Sequence, residues 1–179
     1  MTPEPAFPLS RPVAVADLIR RERLDLTLDV TAAERAALAA YLGVPGVKKV
    51  TAKLTLRAEP GRCVLLEGRV KARLERICVV TLEPMAEDID APLRRIFEDE
   101  PGGAEDDPLA DPDDDDLPDP VIDGTIDPGA VVCEVLALEM APYPRRADAE
   151  LLETALNPAG ETPADHPFAA LAKLRDGGK

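Results

Sequence analysis

The sequence predicts an α+β domain: an antiparallel β-sheet of about four or five strands packed by two main helices, with a disordered acidic insertion and a short C-terminal helix. Three observations carry that expectation. Within residues 47–93 apolar side chains alternate with polar ones over long runs, the period of half-buried strands. Segments after Thr31 and after Asp127 are rich in Ala, Val and Leu at helical spacing and carry helix boundaries. Between sheet and second helix, residues 98–127 hold fourteen Asp or Glu and no Lys or Arg, a run that repels itself and has little to bury.

Residues 1–12 contain four prolines and read as an irregular N-terminal arm with Phe7 and Leu9 as possible anchors. Residues 13–144 read as a single α+β domain interrupted by a mobile acidic insertion at 98–120, and residues 145–179 as a loop and C-terminal helix tail. No period is evident over 13–23. Leu24, Leu26 and Leu28 alternate with Asp25, Thr27 and Asp29, giving a short strand. Thr31 and Glu34 have capping-box spacing, and the alanine-rich helix they open ends at Gly43. Its Ala33, Ala36, Ala37, Ala40 and Tyr41 are expected to pack on the sheet.

The long strands come next. Val50, Ala52, Leu54, Leu56 and Ala58 occupy one parity, with Lys49, Thr51, Lys53, Thr55 and Arg57 between them. After a turn at Glu59, Pro60 and Gly61, the pattern resumes as Val64, Leu66, Gly68, Val70, Ala72 and Leu74 against Glu67, Arg69, Lys71, Arg73 and Glu75. Residues 77–81 read as extended, Pro84 as an interruption and 87–93 as weakly alternating before Arg94, Arg95, Ile96 and Phe97, a stretch expected to supply a third and fourth strand. Beyond the acidic run, residues 125–127 lead into a buried helix that stops before Pro142. A short helix is expected over 149–156, and Phe168, Leu171 and Leu174 mark a small amphipathic helix that needs a surface, its own sheet or a partner's.

Charge is distributed unevenly. Residues 48–76 hold nine Lys or Arg against three Glu in a chain of net charge -14, and outside 98–127 the charges balance. Distribution therefore says more about partners than the sum does. Lys49, Lys53, Arg57, Arg69, Lys71 and Arg73 form one basic face, a candidate for RNA phosphates, whose recognition requires only cations. An ordinary solvated sheet face has the same pattern. Aromatic residues are 3% and Trp is absent, so base stacking is poorly supplied. Asp113, Asp114, Asp115 and Asp116 are candidates for holding a basic partner or covering the basic face, and equally serve as a solubilising linker. Consecutive Asp lacks the Gly and terminal Glu of a calcium loop.

Chemistry is sparsely provided. Cys63, Cys78 and Cys133 include no close pair, which argues against a disulfide framework or zinc site and for a reducing compartment. Ser10 is the sole serine and His166 the sole histidine, and no Gly-rich phosphate loop occurs. Neither catalysis, cofactor nor metal is expected. No stretch approaches the roughly 18 apolar residues of a membrane helix, and the expected location is cytoplasmic.

The order of these features resembles the YceD family, the large ribosomal RNA subunit accumulation proteins of bacteria and plastids. Cys78, Val79, Val80, Thr81, Leu82, Glu83 and Pro84 are similar to its Cys-centred motif. The acidic run, the Asp123-Gly124-Thr125-Ile126-Asp127 turn and the helix ending at Pro142, Tyr143 and Pro144 resemble its acidic linker and following helix. His166, Pro167 and Phe168 resemble its Asn-Pro-Phe tail, with His in place of Asn. The resemblance implies a role in synthesis, processing or accumulation of large-subunit ribosomal RNA, by binding rather than catalysis, with precursor RNA or a large-subunit ribosomal protein as partner. An adaptor or holdase for a basic ribosomal protein, acting through the acidic insertion and C-terminal helix, is the alternative. Some relatives carry a second Cys where this chain has Thr81, so a metal is not implied here.

Overall fold

A computed structural model describes residues 7–99 and 118–149 of the chain. Asp113–Asp116, Phe168, Leu171 and Leu174, and the helices expected over 149–156 and in the tail, fall outside the described elements. In chain order the elements are β1 (Val13–Ala14), α1 (Val15–Arg21), β2 (Arg23–Asp29), α2 (Ala32–Leu42), β3 (Gly46–Glu59), β4 (Cys63–Ile77), β5 (Pro84–Glu98), β6 (Asp119–Pro120), β7 (Thr125–Ile126) and α3 (Pro128–Glu139). Strands β2 to β5 form an antiparallel meander in chain order. The fifth member, β6, runs parallel to β5 over Phe97 and Glu98, and β1 pairs with β7 separately.

The alternation seen in the sequence becomes two faces. Val50, Ala52, Leu54 and Leu56 of β3, Val64, Leu66, Val70, Ala72 and Leu74 of β4, and Ile89, Ala91, Leu93 and Phe97 of β5 are all buried. They share one core with Val15 and Leu18 of α1, Leu38 of α2 and Val131, Val132 and Leu136 of α3. Helices thus cover one face of the sheet, and among the described residues no element covers the other, the open face. Gly68 lies in the buried row between Leu54 and Leu93. A Cβ there would collide with the Lys53 carbonyl and lie 2.7 Å from Leu54 Cδ2.

Local chemistry sets the helix ends. Thr31 Oγ1 accepts the Glu34 amide while Glu34 accepts the Thr31 amide, and Gly43 closes α2 in the left-handed region. The expected packing face of α2 is wrong. Leu38, with Ala39 and Leu42, turns inward, whereas Ala33, Ala36, Ala37, Ala40 and Tyr41 are exposed. A leucine removes far more apolar area from water than an alanine, so the leucines decide the rotation.

Other expectations are also corrected. Residues 15–21 form a third helix too short to display a period. Residues 78–83 are a turn rather than an extended run, closed by Cys78 N–H to Glu83 O at 2.9 Å and Leu82 N–H to Cys78 O at 2.9 Å. Pro84 opens a strand instead of interrupting one, and the third and fourth strands expected after the long pair are a single fifteen-residue β5. Its prolines are tolerated because beyond the two-residue β6 its outer edge is unpaired among the described residues.

The N-terminal segment is tied down by Asp127. This residue caps α3, accepting Gly129 N–H at 2.9 Å and Ala130 N–H at 3.3 Å, and also receives Arg11 N–H at 2.7 Å and Ser10 Oγ at 2.6 Å. Leu9 is fully buried beside Gly129, where a Cβ would approach its backbone to 2.9 Å. Arg11 reaches Glu34 of the α2 cap at 2.7 Å, so one short segment joins two helix starts. Among the described residues no helix is long and apolar enough to cross a membrane.

Two outcomes follow for stability. Gly68→Ala is expected to lower the unfolding free energy by about 2 kcal/mol through overpacking, read as a reduced urea midpoint with unchanged slope. Asp127→Ala is expected to cost about 1 to 2 kcal/mol as a lost N-cap, and limited proteolysis should then cut residues 7–12 faster than in the parent.

Candidate nucleic-acid interface

Pairing register builds the open face row by row. Lys49 lies opposite Arg73, Thr51 opposite Lys71, Lys53 opposite Arg69, and Arg57 opposite Leu65. All six cations predicted from the sequence therefore fall on one face, along the two central strands. Lys49 with Arg73 and Lys53 with Arg69 are like charges in directly opposed positions, an arrangement that costs a sheet stability. The flanking strands add acids, Asp29 and Asp25 on β2 and Asp90 and Asp88 on β5, while Arg23 of β2 lies opposite Arg57 and Thr27 and Pro92 flank the Lys53–Arg69 row. The basic face is thus a stripe with acids along part of each margin.

Ion pairs engage one side of this stripe. Asp90 sits between Arg69 and Lys71, with the Lys71 ammonium at 3.0 Å; Arg73 approaches Asp88 at 3.8 Å and Arg57 meets Glu67 at 2.6 Å. The Arg69 hydrogen bond, then that of Lys71, holds the Asp90 carboxyl below the usual carboxylate range. Lys49 and Lys53 are exposed and form no ion pair among the described residues. A shallow depression of about 360 Å³ opens between Lys49, Thr51, Lys71, Arg73, Asp88 and Asp90.

A second feature lies at the end of β4. Cys78 is buried, and its sulfur accepts backbone N–H groups from Thr81 at 3.5 Å and Arg146 at 3.4 Å. Hydrogen bonding from the Thr81 side chain, followed by backbone N–H groups, pulls the thiol down to about 7. Burial instead pushes Cys133 up to about 11. Val79 N–H bonds Pro144 O at 3.0 Å, and Arg146 pairs with both Glu83 and Asp148, so the turn receives the chain leaving α3. Among the described residues no three His, Cys, Asp or Glu are grouped to hold a metal ion.

A family model described as large ribosomal RNA subunit accumulation protein YceD matches residues 66–175. The chain belongs to the YceD family. Its role accordingly concerns accumulation of large-subunit ribosomal RNA. No curated protein and no solved structure matches the chain. The YceD match begins within β4 and includes the Cys78 turn, β5 and α3, with Arg69, Lys71 and Arg73 inside it and Lys49, Lys53 and Arg57 before it.

Sequence reasoning missed Asp88 and Asp90 as partners of the cations, and Arg94 as a further cation on the same face, opposite Glu67. Asp88 and Asp90 do alternate with Ile89 and Ala91. What the alternation lacks is the register that sets them beside Arg73 and Lys71.

The Cys78 thiol gives a pH prediction with a definite sign. Its folded value is depressed, so its stabilising contribution is complete above the unfolded value near 9 and disappears as pH falls through about 7. The stability margin of the parent over Cys78→Ser, from urea midpoints, should widen between pH 6 and pH 9. An unchanging margin would count against the thiolate.

Proposed function

We propose that this YceD protein supports large-subunit ribosomal RNA accumulation in the cytoplasm by holding precursor RNA on the open sheet face, acting by binding rather than catalysis. The observation that carries this reading is the opposed like-charge rows, Lys49 with Arg73 and Lys53 with Arg69, on a face that no described element covers. Each such row costs the sheet roughly 0.2 to 1 kcal/mol, and an RNA phosphate between the two cations turns that repulsion into attraction. The exposed pairs with Asp88 and Asp90 are no obstacle, since surface ion pairs are typically worth about 0 to 1 kcal/mol and exchange readily.

The test is binding of full-length protein and a Lys53→Glu/Lys71→Glu variant to a large-subunit precursor transcript across a salt series. The parent should bind with steep salt dependence, and the variant should lose at least tenfold in affinity and show a flatter slope. Equal binding by the two proteins would remove the sheet face from the mechanism. Absence of RNA binding by the parent would turn attention to a basic ribosomal protein, tested by deleting residues 98–127.

A further inference from the structure

We infer that the form of RNA this face holds is the double helix, gripped along its phosphates, rather than an unpaired strand read through its bases. The inference rests on the reading above and on what the face lacks and presents. An unpaired strand is held by stacking its bases on aromatic rings or on free guanidinium planes. Among the described residues no ring lies on this face: Phe97 is buried on the other side, Phe7 and Tyr41 pack edge to face against each other beside α2, and Tyr143 follows α3. Among the described residues Arg57, Arg69 and Arg73 each have a carboxylate neighbour, Glu67, Asp90 and Asp88, and Arg94 on β5 is a single exposed guanidinium where an unpaired strand needs a succession of platforms.

What the face presents is a rail. From Lys49 to Arg57 the cations recur on one parity of β3 over eight residues, roughly 26 Å at about 3.3 Å per residue, with Arg73, Lys71 and Arg69 alongside on β4. Thr51 adds a hydroxyl in the middle of that rail, opposite Lys71. A-form RNA offers the complementary surface, a wide, shallow minor groove bordered by phosphates and lined with 2′-hydroxyls. The acidic margins sharpen the fit. Asp25 and Asp29 on one side and Asp88 and Asp90 on the other repel phosphates that stray from the rail, which a stiff duplex avoids and a flexible strand does not.

The experiment uses full-length protein and fluorescein-labelled 20-base-pair RNA of mixed sequence, its separated unstructured strands, and a scrambled duplex, by anisotropy at low salt. The duplex should bind at least tenfold more tightly than either strand, and the scrambled duplex within about twofold of the original. Lys49→Gln/Lys53→Gln, which alters exposed side chains and relieves both opposed like-charge rows, should weaken duplex binding about tenfold without lowering the thermal midpoint. Strands that bind as tightly as the duplex overturn the inference, as does an unbound duplex while the precursor transcript still binds. If the precursor transcript does not bind either, the reading beneath it fails as well.

Discussion

Everything on this molecule depends on the register of β3 against β4. Because the side-chain period of a strand is two, assigning Val50, Ala52, Leu54 and Leu56 to the core assigns Lys49, Lys53 and Arg57 to the opposite face with no freedom left. A slip of one residue would bury those cations without partners, which is far costlier than exposing a few leucines. Gly68 reinforces the register at mid-strand, since only a residue without a Cβ lets β4 approach the Lys53 carbonyl so closely. Core packing and surface chemistry are therefore one constraint.

Magnitudes show which effect prevails. Full burial of one Leu contributes about 1.5 to 3 kcal/mol, and the sheet buries Leu54, Leu56, Leu66, Leu74 and Leu93 along its inner face. Two opposed like-charge rows cost at most about 1 kcal/mol each, and the β5 carboxylates offset part of that. The hydrophobic face holds the cations together with strength to spare. The acidic margins can then serve as internal counter-ions in the free protein, and their weakness at an exposed surface makes them displaceable.

Legibility followed the range of the interaction. The α2 boundaries were readable because a capping box and a terminal glycine are local signals. Its rotation was not, since five alanine and tyrosine positions make a plausible stripe until Leu38 meets the core. The strand parity was readable from Val50 onward but fails at Val47, which is also buried: a bulge between Val47 and Lys49 shifts the register and leaves Lys48 outside, paired with Glu75 at 2.7 Å. The six cations share a face because their parity on β3 and β4 is already visible in the alternation. Their acidic neighbours depend on pairing with β5 about twenty residues away, which alternation alone does not specify.

Among the described residues, the chain after β5 is fastened so as to leave that face uncovered. Asp127 fixes the start of α3 together with Ser10 and Arg11. Beyond its other end, Glu87 accepts the Ala141 N–H at 2.7 Å while Arg76, paired with Glu87, donates to Ala141 O at 2.9 Å. This Arg76–Glu87 pair is largely buried, and removing one partner would strand the other charge, so it specifies geometry more than it adds stability. The chain then bonds to the Cys78 turn through Pro144 and Arg146. Each fastening draws α3 and its exit along the apolar face or the sheet's end, away from the Lys49 to Arg57 rail. A solvated sheet face needs only polar side chains; rows of opposed cations exceed that need, and the repulsion between them is the kind of cost that an anion placed between the two cations would remove.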